Sequence, residues 1–306
     1  MNNSYSNKKI CASVIIPSYN CARYIGHLLQ SLQNQKTDYA FEVIVVDSGT
    51  DNSAELVRRD FPWVNLVRSE TRLHPGQGRN LGIENAKTDL FLFTDTDCRV
   101  GELWVNDIVN GYRTGKQIIV GPVMNGTPRS IWGTIEYLLE FFDSWNVRNG
   151  VKIGPCGTLN VFFTRNIFAK YGPFDHYLNG SDSRFFRRAL AGGDAIYWQS
   201  DVRVWHHNRT ELRAVIRNQF KLGKGAAKTG REFKSRNSFM VEHPYLIPLA
   251  PILRSIRIGW ILLRKCPKNF LIYLLLYPLA LAGLIVHGYG FACGVLEKNR
   301  ETRHDR

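Results

Sequence analysis

Between Ser13 and Thr94 the chain alternates short runs of consecutive apolar residues with segments whose apolar residues recur every three or four positions. Ser13-Val14-Ile15-Ile16-Pro17, Phe41-Glu42-Val43-Ile44-Val45-Val46, Trp63 to Val67 and Leu90-Phe91-Leu92-Phe93-Thr94 read as buried strands. Ala22 to Gln35 (Ile25, Leu28, Leu29, Leu32), Ala54 to Arg59 and Gly78 to Ala86 read as helices. Strand and helix alternating through short loops predict an α/β fold, a doubly wound parallel sheet with right-handed crossovers.

After Gly121 the alternation relaxes. Ile131 to Trp145 is amphipathic, with Glu136, Glu140 and Asp143 expected on a solvated face. Cys156 to Phe163 reads as a strand or turn that brings Gly157 and Asn160 towards the earlier strand ends. Val202-Arg203-Val204-Trp205-His206-His207 alternates as a strand and ends in two histidines. Arg209 to Lys228 is a basic helix with Arg213, Arg217, Lys221, Lys224 and Lys228 at spacings of three or four, a face suited to phosphates or anionic headgroups. Phe270 to Leu296 holds no Asp, Glu, Lys or Arg and is long enough to span a bilayer, with Pro278 and its glycines tolerated inside such a helix. Tyr245 to Leu263 is apolar but interrupted by Arg254 and Arg257, the pattern of an interfacial or re-entrant helix, with a second span as the alternative. Arg254, Arg257, Arg264, Lys265 and Lys268 precede the span, which predicts a cytoplasm-facing chain on the inner membrane. The expected divisions are a polar tail at 1–9, one half of an α/β domain at 10–121, its second half at 122–232, and a membrane-associated region at 233–306. That last region holds the interfacial helix at about 245–263 and the transmembrane helix at about 270–296.

The net charge of +14 over 306 residues demands anionic company. The membrane-proximal third carries much of that excess, so charge alone does not argue for nucleic acid. Six cysteines without a C-x-x-C pair or zinc spacing fit a reducing compartment. Met1 to Lys9 lacks the apolar core of a signal peptide.

The chemistry gathers at strand ends. Asp95 and Asp97 follow Leu90–Thr94 at i, i+2, so both carboxylates can point to one side. Hard oxygen donors in that position suit Mg²⁺ or Mn²⁺. Pro17 to Asn20 and Asp47 to Asp51 also follow strand ends and face the same crevice, where an open α/β sheet binds ligands. Asp47 there either accepts hydrogen bonds from a ribose or base or closes an Asx turn. His74 to Asn80 is a glycine-containing turn opening a helix, and its backbone N–H groups and Arg79 suit a phosphate. No dinucleotide fingerprint or Walker A loop is present.

In order, Val14-Ile15-Ile16-Pro17-Ser18-Tyr19-Asn20, Val45 to Asp51, Gly78-Arg79-Asn80, Asp95-Thr96-Asp97, Gly157-Thr158-Leu159-Asn160 and Tyr171-Gly172-Pro173-Phe174-Asp175 resemble the family-2 inverting glycosyltransferases of the GT-A fold. The resemblance covers roughly residues 10 to 230. It implies a GT-A domain whose donor, a nucleotide-diphosphate sugar with UDP favoured, lies against Pro17, Tyr19, Asn20, Asp47, Arg79 and Asp95. A divalent metal, Mn²⁺ or Mg²⁺, would be held by Asp95 and Asp97, with His206 completing its site and His207 as the alternative. Asp182 in Asn179-Gly180-Ser181-Asp182 matches the family's catalytic base, although Ser181 stands where that family usually has glutamate. Without the resemblance, a plain helix N-cap is the favoured reading of Asp182. The Gln-x-x-Arg-Trp signature of processive synthases is missing, so a single transfer is expected, onto a lipid-linked or membrane-associated glycan acceptor. A nucleotidyltransferase and a non-catalytic tethered binding protein are the competing readings.

Overall fold

The computed structural model describes residues 9–144, 149–152, 154–176, 180–233 and 236–304. Parts of the polar tail, Trp145 and Asn179 fall outside the described residues. The first elements are β1 (Ala12–Ser18), α1 (Ile25–Gln33), β2 (Phe41–Asp47), α2 (Ser53–Asp60), β3 (Asn65–Arg68), α3 (Pro75–Glu84), β4 (Leu90–Thr94) and β5 (Cys98–Val100). Then come α4 (Trp104–Arg113), β6 (Ile118–Val120), β7 (Val123–Asn125), α5 (Ile131–Glu140), β8 (Gly150–Lys152), β9 (Asn160–Thr164), α6 (Arg165–Tyr171) and α7 (Ser181–Ala191). The chain continues through β10 (Ile196–Trp198), β11 (Val204–His206), α8 (Leu212–Glu232), α9 (Arg236–Glu242), a 3-10 turn (Pro244–Leu249), α10 (Ala250–Lys265), α11 (Pro267–Leu275) and α12 (Tyr277–His304).

Two compact units emerge, Met1–Gly126 with Asn146–His207, and Thr127–Trp145 with Asn208–Arg306. In the first, the sheet runs β3-β2-β1-β4-β9-β6-β10-β8. The strands β3, β2, β1 and β4 are parallel, and β9 enters antiparallel between β4 and β6. Successive residues of β4 feed opposite cores. Leu90 and Leu92 join the cluster under α1 and α4, while Phe91 and Phe93 join the one under α7. That is why its whole run is apolar rather than alternating. Pro17 lies in β1 without breaking the sheet, because pairing with β4 ends at Ile15. The helix α3 sits close on β1: a Cβ at Gly82 would lie 2.3 Å from Ile15 Cγ2, and one at Gly78 3.1 Å from Pro17 Cβ.

A second, small sheet runs β5-β11-β7. At its edge Asn160 acts as a clamp. It donates to the carbonyls of Pro122 (3.0 Å) and Val202 (2.8 Å) and accepts from the Trp104 indole at 2.9 Å. Gly121 leaves room for it, since a Cβ there would be 1.8 Å from the Val202 carbonyl oxygen.

The second unit is helical. Here α8 packs along α12 through glycines: a Cβ at Gly290 would be 2.2 Å from the Phe220 carbonyl oxygen, and one at Gly223 2.1 Å from that of His287. Gly290 and Gly294, four apart, form the small-residue stripe of close helix pairs. This unit comprises Thr127–Trp145 and Asn208–Arg306.

The acids expected on a solvated face of α5 divide. Asp143 is exposed, but Glu136 is fully buried. Glu136 pairs with Arg209 at 2.9 Å and accepts from Asn218 at 2.9 Å, while Glu140 accepts from Asn218 and Gln219. A buried carboxylate needs such partners, and these lie on a remote stretch of sequence. The apolar run 270–296 is also not one helix. Leu276 separates α11 from α12, and Pro278, which has no N–H to donate, stands in the first turn of α12. By length and composition two segments could cross a membrane, Pro244–Lys265 and Tyr277–Glu297, with mean hydropathies of 1.6 and 1.8.

Candidate functional site

Three strand ends of the parallel sheet build one side of the site. The loop after β1 is pinned to the loop after β2 by Asn20, whose Oδ1 accepts from the Thr50 N–H (2.7 Å) and the Asp51 N–H (3.3 Å). The Asn20 backbone adopts a left-handed φ of 50°, a conformation asparagine tolerates. Gly49 permits the approach, as a Cβ there would lie 2.7 Å from the Asn20 nitrogen. Tyr19 stays exposed at this rim, with the Arg72 guanidinium 4.4 Å above its ring. Asp47 lies deeper and is fully buried. One of its oxygens accepts from Ser18 Oγ at 2.5 Å, and the other accepts from Arg68, which also reaches the Gly49 carbonyl at 3.0 Å.

The turn before α3 is closed by Gln77, which accepts from the His74 N–H at 2.9 Å. Arg79 follows on α3. Rather than standing at the surface, it is buried against Phe174 and donates to Asp95 Oδ1 at 3.2 Å. Arg79 therefore holds Asp95 in place, a role its residue type did not disclose. Burial pushes the Asp95 carboxyl up, and the Arg79 charge pulls it the other way.

The other side comes from distant sequence. Strand β11 pairs antiparallel with β5, setting His206 opposite Cys98. This brings His206 Nε2 to 3.5 Å from Asp97 Oδ2, and the His207 N–H donates to the Asp97 carbonyl at 2.7 Å. The His207 ring turns instead to Tyr24, at a centroid distance of 5.0 Å, and burial lowers its pKa. Of the two histidines, His206 is the one beside the Asp-x-Asp pair.

Asp182 sits in the first turn of α7. Gly180 starts that helix with φ 81°, and Phe185 and Phe186 anchor it, both fully buried in a ring cluster with Phe163 and Phe174. Its Oδ2 is 3.3 Å from where a Cβ on Gly157 would stand, so that glycine leaves the carboxylate room. Asp182 is close enough to Asp95 to raise its carboxyl further, and His206 close enough to lower it. Ser181 is buried beside Gly76, where a Cβ would lie 3.1 Å from its hydroxyl oxygen and 2.4 Å from the Asp175 carbonyl. A glutamate at 181 would have to find space in this close approach.

Three carboxylates (Asp95, Asp97 and Asp182) and the His206 imidazole thus converge. Asp97 and His206 offer the hard oxygen and nitrogen donors that Mn²⁺ and Mg²⁺ accept. Among the described residues no group of three or more His, Cys, Asp or Glu closes into a metal set by itself. The pair fits a cation whose remaining positions are filled by substrate oxygens and water. Sequence reasoning missed Arg68 and Arg72. The alignment of β2 with β3 puts Arg68 beside Asp47, and the chain after β3 carries Arg72 over Tyr19.

Comparison with known proteins bears on the family and the fold. Residues 13–171 match the model of the family described as Glycosyl transferase family 2. Glycosyltransferase AglE of Haloferax volcanii is 27% identical over 221 residues, covering 70% of this chain and 72% of its own length. Chondroitin synthase of Pasteurella multocida is 33% identical over 230 residues, covering 61% of this chain but only 24% of its own. The crystal structure of S. aureus TarS 1–349 in complex with UDP-GlcNAc aligns with a TM-score of 0.54 at 19% identity, over 96% of this chain and 92% of that one. At that identity the likeness speaks for the GT-A fold alone. The family match spans the strand ends just described, from β1 to α6, and on that ground the chain belongs to glycosyl transferase family 2 and is a glycosyltransferase.

Proposed function

We propose that this protein is a membrane-anchored, inverting glycosyltransferase that moves one sugar from a nucleotide-diphosphate sugar, a UDP-sugar by preference, to a lipid-linked or membrane-associated acceptor. The observation that carries the reading is the convergence of Asp95, Asp97, His206 and Asp182 at the strand ends. Tyr19 offers its ring to the base, and Pro17, Asn20 and Asp47 shape the surrounding crevice. Asp97 and His206 would hold the divalent metal, with Asp95 alongside. When bound, the cation supplies positive charge that offsets the negative charge growing on the leaving diphosphate.

Asp182 accepts the proton of the acceptor hydroxyl as its oxygen forms a bond to the anomeric carbon. The bond from that carbon to the diphosphate oxygen breaks on the opposite face, so configuration inverts. Arg79 keeps Asp95 oriented throughout. Exposed apolar residues on α10 and α12, among them Ile256 (64%) and Ile285 (55%), support placing these helices in lipid, and the flanking Arg264, Lys265 and Lys268 support a cytoplasmic catalytic unit.

The test is thermal shift and donor turnover on detergent-solubilised protein across a panel of nucleotide sugars, with and without Mn²⁺ or Mg²⁺. Stabilisation by one donor that requires metal and disappears in Asp97→Ala is the expected result. Failure of every nucleotide sugar to bind under any metal would overturn the reading.

A further inference from the structure

The two apolar segments long enough to cross a membrane keep polar company. From His287 to Glu297, α12 lies along α8. Gly223 sits close on the His287 carbonyl, Gly290 sits close on the Phe220 carbonyl, and Lys224 pairs with Glu297 at 2.6 Å. Arg231 donates to the Gly294 carbonyl at 2.8 Å. On the same stretch of α8, Lys221 and Lys228 are exposed. Charges carried into hydrocarbon are costly, so this half of α12 belongs outside it. What remains, from Tyr277 to Val286, is about ten residues or roughly 15 Å, half of a hydrocarbon core about 30 Å thick. The 16 residues of α10 reach only about 24 Å, and they begin beside the same stretch, with Pro251 against Gly288.

The apolar surface is nevertheless large. Ile256, Trp260 and Leu263 on α10 and Leu271, Leu274 and Leu275 on α11 are exposed, Leu275 at 80%. Helix α11 folds back on α10, where Tyr273 Oη meets Ser255 Oγ at 2.8 Å. At the turn between them stand Arg264, Lys265 and Lys268. The Arg264 guanidinium lies 4.3 Å from the centre of a Trp260 ring, a side chain suited to the membrane–water boundary. Crossings by both α10 and α12 would carry the three cations to the far side, against the cytoplasmic excess of Lys and Arg. A single crossing by either helix would part α12 from α8 or drag α8 through.

We propose that the helical unit does not cross the bilayer but seats α10, α11 and the start of α12 in one leaflet, with Arg264, Lys265 and Lys268 at its cytoplasmic headgroups. This seating deepens the membrane reading above and rests on it. Two full-length variants made in a bacterial host, Lys268→Cys and Arg306→Cys, test it. A membrane-impermeant maleimide is applied to intact spheroplasts and to inside-out vesicles, and labelling is read peptide by peptide by mass spectrometry. Both introduced thiols should label in inside-out vesicles and stay unlabelled in spheroplasts, where an outward-facing cysteine of a host membrane protein labels as the control. An unchanged thermal midpoint confirms that each variant is folded. Labelling of either variant from outside, or only after detergent is added, would overturn the one-leaflet seating and leave the membrane reading standing. Recovery of the wild-type chain in the soluble fraction without detergent would overturn both.

Discussion

The two units solve the problem of close approach differently. In the α/β unit, glycine brings backbone to backbone so that polar side chains can meet: Gly49 lets Asn20 reach Thr50, and Gly157 leaves room beside Asp182. In the helical unit, Gly223, Gly290 and Gly294 bring helix against helix, and the buried acid Glu136 is held by Arg209. One unit uses its close contacts to prepare a reaction and the other to hold apolar helices together. The same residue type therefore predicts different losses in the two places.

The largest effect should come from Asp182→Asn, which keeps the helix start but cannot take the acceptor proton. Turnover should fall by roughly 10²–10⁴ while metal-dependent donor binding persists, measured by initial rates beside thermal shift. Asn160→Ala tests whether the α/β unit depends on its polar clamp. It strands the Trp104 indole and two buried carbonyls, and a loss of roughly 3 kcal/mol in unfolding free energy is expected.

Gly290→Val asks the matching question of the helical unit. Its side chain meets the Phe220 backbone, and the expected cost is about 1–3 kcal/mol, read as a lower thermal midpoint in detergent. Gly26→Ala on α1, where a Cβ meets nothing within 4 Å, should instead be neutral or stabilise by up to about 1 kcal/mol.

The smallest effect concerns Asp194, which accepts from Tyr171 at 2.5 Å and Lys170 at 2.9 Å and is held below its ordinary pKa, first by the tyrosine. A lowered folded pKa stabilises above the unfolded value and is lost as pH falls through the folded one. The gap in thermal midpoint between wild type and Asp194→Asn should therefore narrow from about pH 6 to about pH 3.

The parallel platform was legible because its strands are buried on both faces. β4 falls at Leu90–Thr94, as its apolar run predicts, and the two aspartates follow at the expected strand end. The third strand begins two residues later than Trp63, and the helix after it begins at Pro75 rather than Gly78, because proline and the Gln77 cap set its start. Family resemblance pointed to Asp182 and His206 without showing what orients them. Arg79 as the partner of Asp95, Arg68 on Asp47, and Glu136 as a buried acid were illegible because each depends on a partner from another element.

What the sequence determined alone is everything with a short period: buried strands, helices with an apolar face, the i, i+2 aspartates, and the long apolar stretches near the C-terminus. Hydrophobic burial reads out locally, since each residue's preference for water or core depends little on its partners. Tertiary structure decided the pairings. The β5–β11 ladder brings His206 to Asp97, and contacts between remote stretches group Thr127–Trp145 with Asn208–Arg306. Hydrogen bonds and ion pairs are short-ranged and directional, so their partners exist only once the fold has brought remote residues within about 3 Å.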